Sequence, residues 1–136
     1  MKVFVDANVL FTAAHNPSGK SAKLLANAKA LDLTMVTNSY AIGEAIRNIV
    51  KKYPSQEATL HACLKQVTIV PLITQGSAAD GIADKDKPIL LSALQANCDV
   101  LLTGDKKDFL TRRATLKAIE VLSPSELLEK VESNAG

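Results

Sequence analysis

A chain of 136 residues with 47% hydrophobic composition buries roughly 70% of its unfolded surface, so one domain over residues 1–136 is expected without metals or disulfides to stabilise it. A net charge of +2, sixteen Lys and Arg against fourteen acids, excludes a polycationic coat, and the lack of Trp with few other aromatics argues against base-stacking platforms for single strands. No apolar stretch approaches the ~20 residues of a membrane span, and Met1 leads directly into a strand pattern, so a cytoplasmic protein with no signal peptide and with reduced Cys63 and Cys98 is expected.

The first strand is expected at Val3–Val5, and it stops on Asp6, which could cap a short helix behind it. Residues 20–31 form a helical pattern with Leu24, Leu25, Ala28 and Leu31 on one face. The second strand, Leu33–Thr37, leads into a helix over 39–52 with Ile42, Ile46, Ile49 and Val50 directed inward. A helix over 56–66 precedes the third strand, Val67–Leu72, and Thr74–Ala83 is the one long irregular stretch, a surface loop or short helix. The helix over 87–97 tolerates Pro88 in its first turn. A fourth strand at Val100–Thr103 is followed by Asp105, and a fifth at Ala118–Leu122 by a capping box of Ser123, Pro124 and Glu126. Leu127, Leu128 and Val131 of the last helix face the core, and Glu132–Gly136 is expected to fray. The strands are nearly continuous apolar runs alternating with helices, which implies parallel strands covered on both faces in a doubly wound α/β sandwich.

Ligands of open α/β sheets bind beyond the carboxyl ends of the strands, where the strand order reverses. Asp6 and Asp105 follow strands and so belong to that edge, Asp86 opens the helix leading to the fourth strand, and Glu44 lies in the first turns of the helix after the second. Acids converging on one rim repel each other unless a cation is bound, and oxygen ligands without His or Cys suit Mg²⁺ or Mn²⁺. Each acid also has a plain structural reading. Asp6, Asp86 and Asp105 fit N-caps, and Glu44 shares a solvated face with Arg47 and Lys51, where it could pair with Arg47. Separate capping roles do not require all four on one rim. Asp84 and Asp108 stand close enough in sequence to assist or substitute, whereas Asp32, Asp80 and Asp99 read as surface or turn acids. Gly19-Lys20-Ser21 lacks the first glycine of a phosphate loop, Ala14 standing in its place, and His15 and His61 have no triad partners.

VDANVL at the start, NSYAIGEAI, KDKPILLSAL and LLTGDKKDF together resemble the PIN-domain ribonucleases, closest to the VapC-like toxins and toxin components of toxin–antitoxin pairs. The blocks come in the family's order and span residues 3–109. The resemblance implies a three-layer α/β/α sandwich with a central parallel sheet of about five strands, and an Mg²⁺- or Mn²⁺-dependent ribonuclease. By position it implies an acidic quartet of Asp6, Glu44, Asp86 and Asp105 that binds metal and carries catalysis. Asn8 would orient Asp6; Thr103, Ser39 and Asp108 match supporting positions. Products with 5′-phosphate and 3′-hydroxyl ends, a cognate antitoxin and a homodimer are further implications.

An acidic centre that accepts RNA needs cations around it, and Lys20, Lys23, Lys51, Lys85, Lys87, Lys106, Lys107, Arg112 and Arg113 are the candidates for phosphate contact. A haloacid-dehalogenase-like phosphatase would need an aspartate where Asn8 stands. A receiver domain would need an aspartate after the third strand, which ends in Val70-Pro71-Leu72, and a lysine after the fifth, which runs into Ser123-Pro124. The remaining alternative is a non-catalytic PIN scaffold that binds RNA or protein, distinguished by metal-dependent cleavage that EDTA abolishes.

Overall fold

The computed structural model describes residues 1–104, 109 and 116–135, with the side chains of 134 and 135 left aside. In chain order the elements are β1 (Lys2–Val5), α1 (Ala7–His15), α2 (Lys20–Ala26), β2 (Thr34–Thr37), α3 (Ser39–Lys52), α4 (Glu57–Leu64), β3 (Thr68–Ile69), α5 (Lys87–Gln95), β4 (Val100–Leu102), β5 (Glu120–Leu122) and α6 (Pro124–Ala135). Short 3₁₀ turns occupy Pro54–Gln56 and Ser77–Ala79.

The strands form one parallel five-stranded sheet in the order β3-β2-β1-β4-β5, with Phe4 level with Val36 on one side and Leu101 on the other. Val3, Phe4 and Val5 in β1 and Leu101 and Leu102 in β4 are fully buried. This is the burial expected of central parallel strands with helices on both faces, the three-layer α/β/α arrangement. The order reverses at β1: β2 and β3 extend to one side, and the chain then returns to place β4 on the other. The carboxyl ends of β1 and β4 therefore flank the switch point.

Several boundaries depart from the sequence expectation for identifiable reasons. The third strand is two residues long, not six. Val70 N–H makes the last bond, to the Thr37 carbonyl at 2.8 Å, and Pro71 then has no N–H to continue the ladder. At this sheet edge Ile69 and Leu72 stay exposed. The helix from Lys20 ends at Ala26, because the Asn27 side chain donates to the Lys23 carbonyl at 2.8 Å and caps it. In α3 the buried stripe is Ala41, Ala45 and Ile49; Ile42 and Ile46 flank it and Val50 is 46% exposed. The alanines take the core side because α3 packs against α1, which also buries alanines, and small side chains permit close approach. The capping box is present, with Glu126 N–H donating to Ser123 Oγ at 3.2 Å and Ser123 N–H to Glu126 Oε1 at 3.0 Å. Helix α6 carries through to Ala135, past the point where fraying was expected. Cys63 and Cys98 are free thiols, and burial pushes Cys98 up to about 11. Among the described residues no helix is long and apolar enough to cross a membrane.

The carboxyl edge is closed by Asn38, which is fully buried. Its Oδ1 accepts the Ala41 N–H at 2.9 Å as the N-cap of α3. Its Nδ2 donates to the Pro88 carbonyl at 3.1 Å and to Ser92 Oγ at 2.9 Å, tying α3 to α5. Asn38→Ala removes the cap and strands buried partners, at a cost of about 2–4 kcal/mol and roughly a 10 °C fall in melting temperature by circular dichroism. A fall below about 2 °C would show that this residue does not join the helices.

Candidate functional site

The first carboxylate is held by two strands and a helix start. The chain leaves β1 in extended conformation at Asp6 and turns into α1, and Asp6 Oδ1 accepts the Ala7 N–H at 2.7 Å. Its other oxygen accepts the Thr103 hydroxyl at 2.8 Å and Asn8 Nδ2 at 3.3 Å. Asn8 Nδ2 also lies 3.2 Å from Thr103 Oγ1, and Asn8 Oδ1 accepts the Gly104 N–H at 2.7 Å. Capping and placement at the rim are thus two uses of one side chain. Asp6 is only 5% exposed and Thr103 is fully buried, and hydrogen bonds to an ionised acceptor are the strong ones at such a site.

On the other side of β1, the Thr37 hydroxyl donates to the Val5 carbonyl at 2.8 Å, and Asn38 then reaches α5 as described. Asp86 occupies the N-cap position of α5, yet its side chain makes no capping hydrogen bond. It is 7% exposed, and Lys85 Nζ lies 3.3 and 3.4 Å from its two oxygens. The Asp84 side chain is 98% exposed and pairs with Lys87 at 3.2 Å, so of these two acids Asp86 is the one built into the structure.

Glu44 is half-buried at the border of the α3 stripe, and among the described residues it forms no ion pair with Arg47. Tyr40, one helical turn earlier, donates its hydroxyl to the Lys85 carbonyl at 2.8 Å. Its phenol titrates above the usual 10.0, first because of burial and then because of the negative charges of Glu44 and Asp86, against the opposing pull of Lys85 and Arg47. One ring therefore senses both acids.

Other expected residues fall elsewhere. Asp105, Asp108, Lys106, Lys107, Arg112 and Arg113 lie outside the described residues. Ser39 is exposed at the first position of α3, and Asn38 before it makes the cap. Lys51 stands at the far end of α3, roughly 18 Å of helix rise from Ser39. Lys20 and Lys23 face α6, bonding Ser125 Oγ at 3.1 Å and Glu132 at 3.4 Å. His15 packs between Phe11 and Tyr53, and His61 pairs with Glu57. Thr37, Asn38, Tyr40 and Ser92 were not singled out in the sequence. Asn38, a strong N-cap type directly before a helical pattern, carried a readable signal.

Among the described residues no three His, Cys, Asp or Glu side chains gather closely enough to hold a metal ion. The described carboxylates at this edge are Asp6 and Asp86, with Glu44 near the same Tyr40 ring as Asp86, and both histidines are engaged elsewhere. An all-oxygen set of this kind fits a hard divalent cation in its chemistry.

The family model for the PIN domain matches residues 2–107. Among solved structures, VapBC2 from Rickettsia felis bound to a DNA fragment from their promoter aligns with a TM-score of 0.65 at 15% identity, covering 90% of this chain and 98% of that one. VapBC-1 from nontypeable Haemophilus influenzae aligns with a TM-score of 0.64 at 18% identity, over 92% and 99% of the two chains. FitAB bound to an IR36 DNA fragment aligns with a TM-score of 0.59 at 18% identity, over 90% and 94%. No curated protein matches the chain.

The electrostatics of Tyr40 give a direct check on this corner. A tyrosinate absorbance titration should contain a component with its midpoint above 10.0 that Tyr40→Phe removes. Negative neighbours disfavour the phenolate, so Glu44→Gln should move that midpoint down. An unmoved midpoint would mean that Glu44 does not face the ring.

Proposed function

This chain belongs to the PIN domain family, and from that footing we propose that it is a metal-dependent endoribonuclease, the toxin of a toxin–antitoxin pair, built as one cytoplasmic nuclease domain over residues 1–136. The observation that carries this reading is the buried Asp6 carboxylate, fixed by Asn8 and Thr103 at the switch point of the sheet. A side chain that only capped α1 would need one of its oxygens; this one has both engaged, by two elements.

In this reading Asp6, Asp86 and Asp105 hold Mg²⁺ or Mn²⁺, with Glu44 completing the set. A bound divalent ion lowers the pKa of water, polarises the phosphoryl group and steadies the departing oxygen. Asn8 and Thr103 keep the Asp6 carboxylate in one orientation, so no side-chain freedom is lost when the site is loaded. Glu44, bordering the buried face of α3, accepts a hydrogen bond from the attacking water and aims it at the phosphorus. Cleavage then leaves a 5′-phosphate and a 3′-hydroxyl.

The RNA backbone is received by cations around the acidic centre. Lys87 has a surface partner, Asp84, and such an exposed pair contributes only about 0–1 kcal/mol, so a phosphate can replace it, whereas Lys20 is turned to α6. Lys85, Lys106, Lys107 and Arg112 complete that set, whereas Lys51 stands too far along α3 to join it. The likeness to VapBC and FitAB structures supports a cognate antitoxin as the protein partner. A homodimer is part of the same proposal.

Purified protein should cleave a labelled RNA in Mn²⁺ and stop on addition of EDTA. Asp6→Asn should lose at least ~100-fold in rate with an unchanged far-ultraviolet spectrum, and Asn8→Ala about 10- to 100-fold through misorientation of Asp6. Full activity in Asp6→Asn, or cleavage indifferent to EDTA, would refute the assignment.

A further inference from the structure

The peptide that carries Asp86 is gripped on both sides by the start of one helix. Asn38 donates to the Pro88 carbonyl at 3.1 Å, and Tyr40 donates to the Lys85 carbonyl at 2.8 Å. Asp86 lies between these two points, and Glu44 sits on α3 one turn beyond Tyr40. The two grips differ in kind. Asn38 is fully buried and its loss disturbs the core, whereas Tyr40 is half-buried and a phenylalanine ring would fill the same space. The Tyr40 hydroxyl is therefore spare for packing and specific for geometry.

Resting on the metal-site reading above, we infer that Tyr40 is a positioning residue that fixes Asp86 relative to Glu44 by holding the Lys85 carbonyl, so that both carboxylates meet one divalent ion without rearrangement. The same bond orients the backbone from which Lys85 reaches both oxygens of Asp86. Without it the corner at residues 84–86 retains its turn bonds, including Asp86 N–H to the Ala83 carbonyl at 2.9 Å, but is no longer tied at Lys85 to the helix that bears Glu44. Tyr53, at the other end of α3 and roughly 20 Å of helix rise away, provides a matched control.

The experiment measures Mn²⁺ binding by isothermal titration calorimetry and RNA cleavage as a function of Mn²⁺ for the wild type, Tyr40→Phe and Tyr53→Phe. Loss of one hydrogen bond that preorganises a ligand should weaken Mn²⁺ binding by about three- to tenfold in Tyr40→Phe and raise the half-maximal Mn²⁺ for cleavage by the same factor. The rate at saturating Mn²⁺ should stay within about twofold of wild type, since the ligands themselves are intact, and Tyr53→Phe should match wild type throughout. Unchanged Mn²⁺ affinity in Tyr40→Phe, or a loss confined to the saturated rate, would overturn the inference while leaving the nuclease reading in place. A wild-type protein that binds no Mn²⁺ would overturn both. A Tyr40→Phe variant that fails to fold would show that the hydroxyl is needed for the fold itself and would likewise overturn the inference.

Discussion

The structure turns on one awkward requirement: a carboxylate must sit at the end of the central strand with almost no solvent around it. An unpartnered buried charge costs several kcal/mol, and Asp6 is 5% exposed. The requirement is met by Asn8 from the first turn of α1 and by Thr103 at the end of β4, which bond Asp6 and each other. This triangle exists only because the chain brings β4 beside β1 after building β2 and β3 on the other side. The topology therefore makes the site, and the site's hydrogen bonds in turn pin the β1–β4 junction.

From that junction the polar order continues along the edge of the sheet. Thr37 grips the end of β1, Asn38 links α3 to α5, and Tyr40 links α3 to Lys85. Ser92 accepts from Asn38 and also from the Ile73 N–H at 2.9 Å, drawing in the segment after β3. Among the described residues no buried side-chain polar atom lacks a hydrogen-bond partner. A fully satisfied network of this sort holds side chains in single orientations, which is the condition for ligands that must be in place before a cation arrives.

Much of this was readable from the residues. The five strands, the carboxyl-edge location of Asp6 and the capping box at Ser123 follow from apolar runs, their stopping points and cap chemistry. Asn8 and Thr103 were marked by family resemblance, and the structure places both on Asp6. Other features depended on tertiary context. Periodicity alone favoured the isoleucines of α3 over Ala41 and Ala45, because hydrophobicity scales rank side chains without knowing how near the next helix lies. The apolar run predicts a third strand through Leu72, whereas Pro71 lacks the N–H that would continue the ladder. The family resemblance points to Asp86 and leaves Asp84 close enough to substitute; in the structure Asp86 is buried and the Asp84 side chain is exposed. The N-cap role of Asn38 is local and readable, but its bonds to α5 and the bond from Tyr40 to Lys85 join residues 45 or more positions apart, which no local pattern marks.

Anomalous scattering from crystals grown in Mn²⁺ tests most directly whether carboxylates distant in sequence share a divalent cation at this edge. The expected result is a manganese peak within bonding distance of Asp6 and Asp86 carboxylate oxygens. Well-ordered Asp6 and Asp86 side chains turned to separate surfaces, with no peak between them, would contradict it.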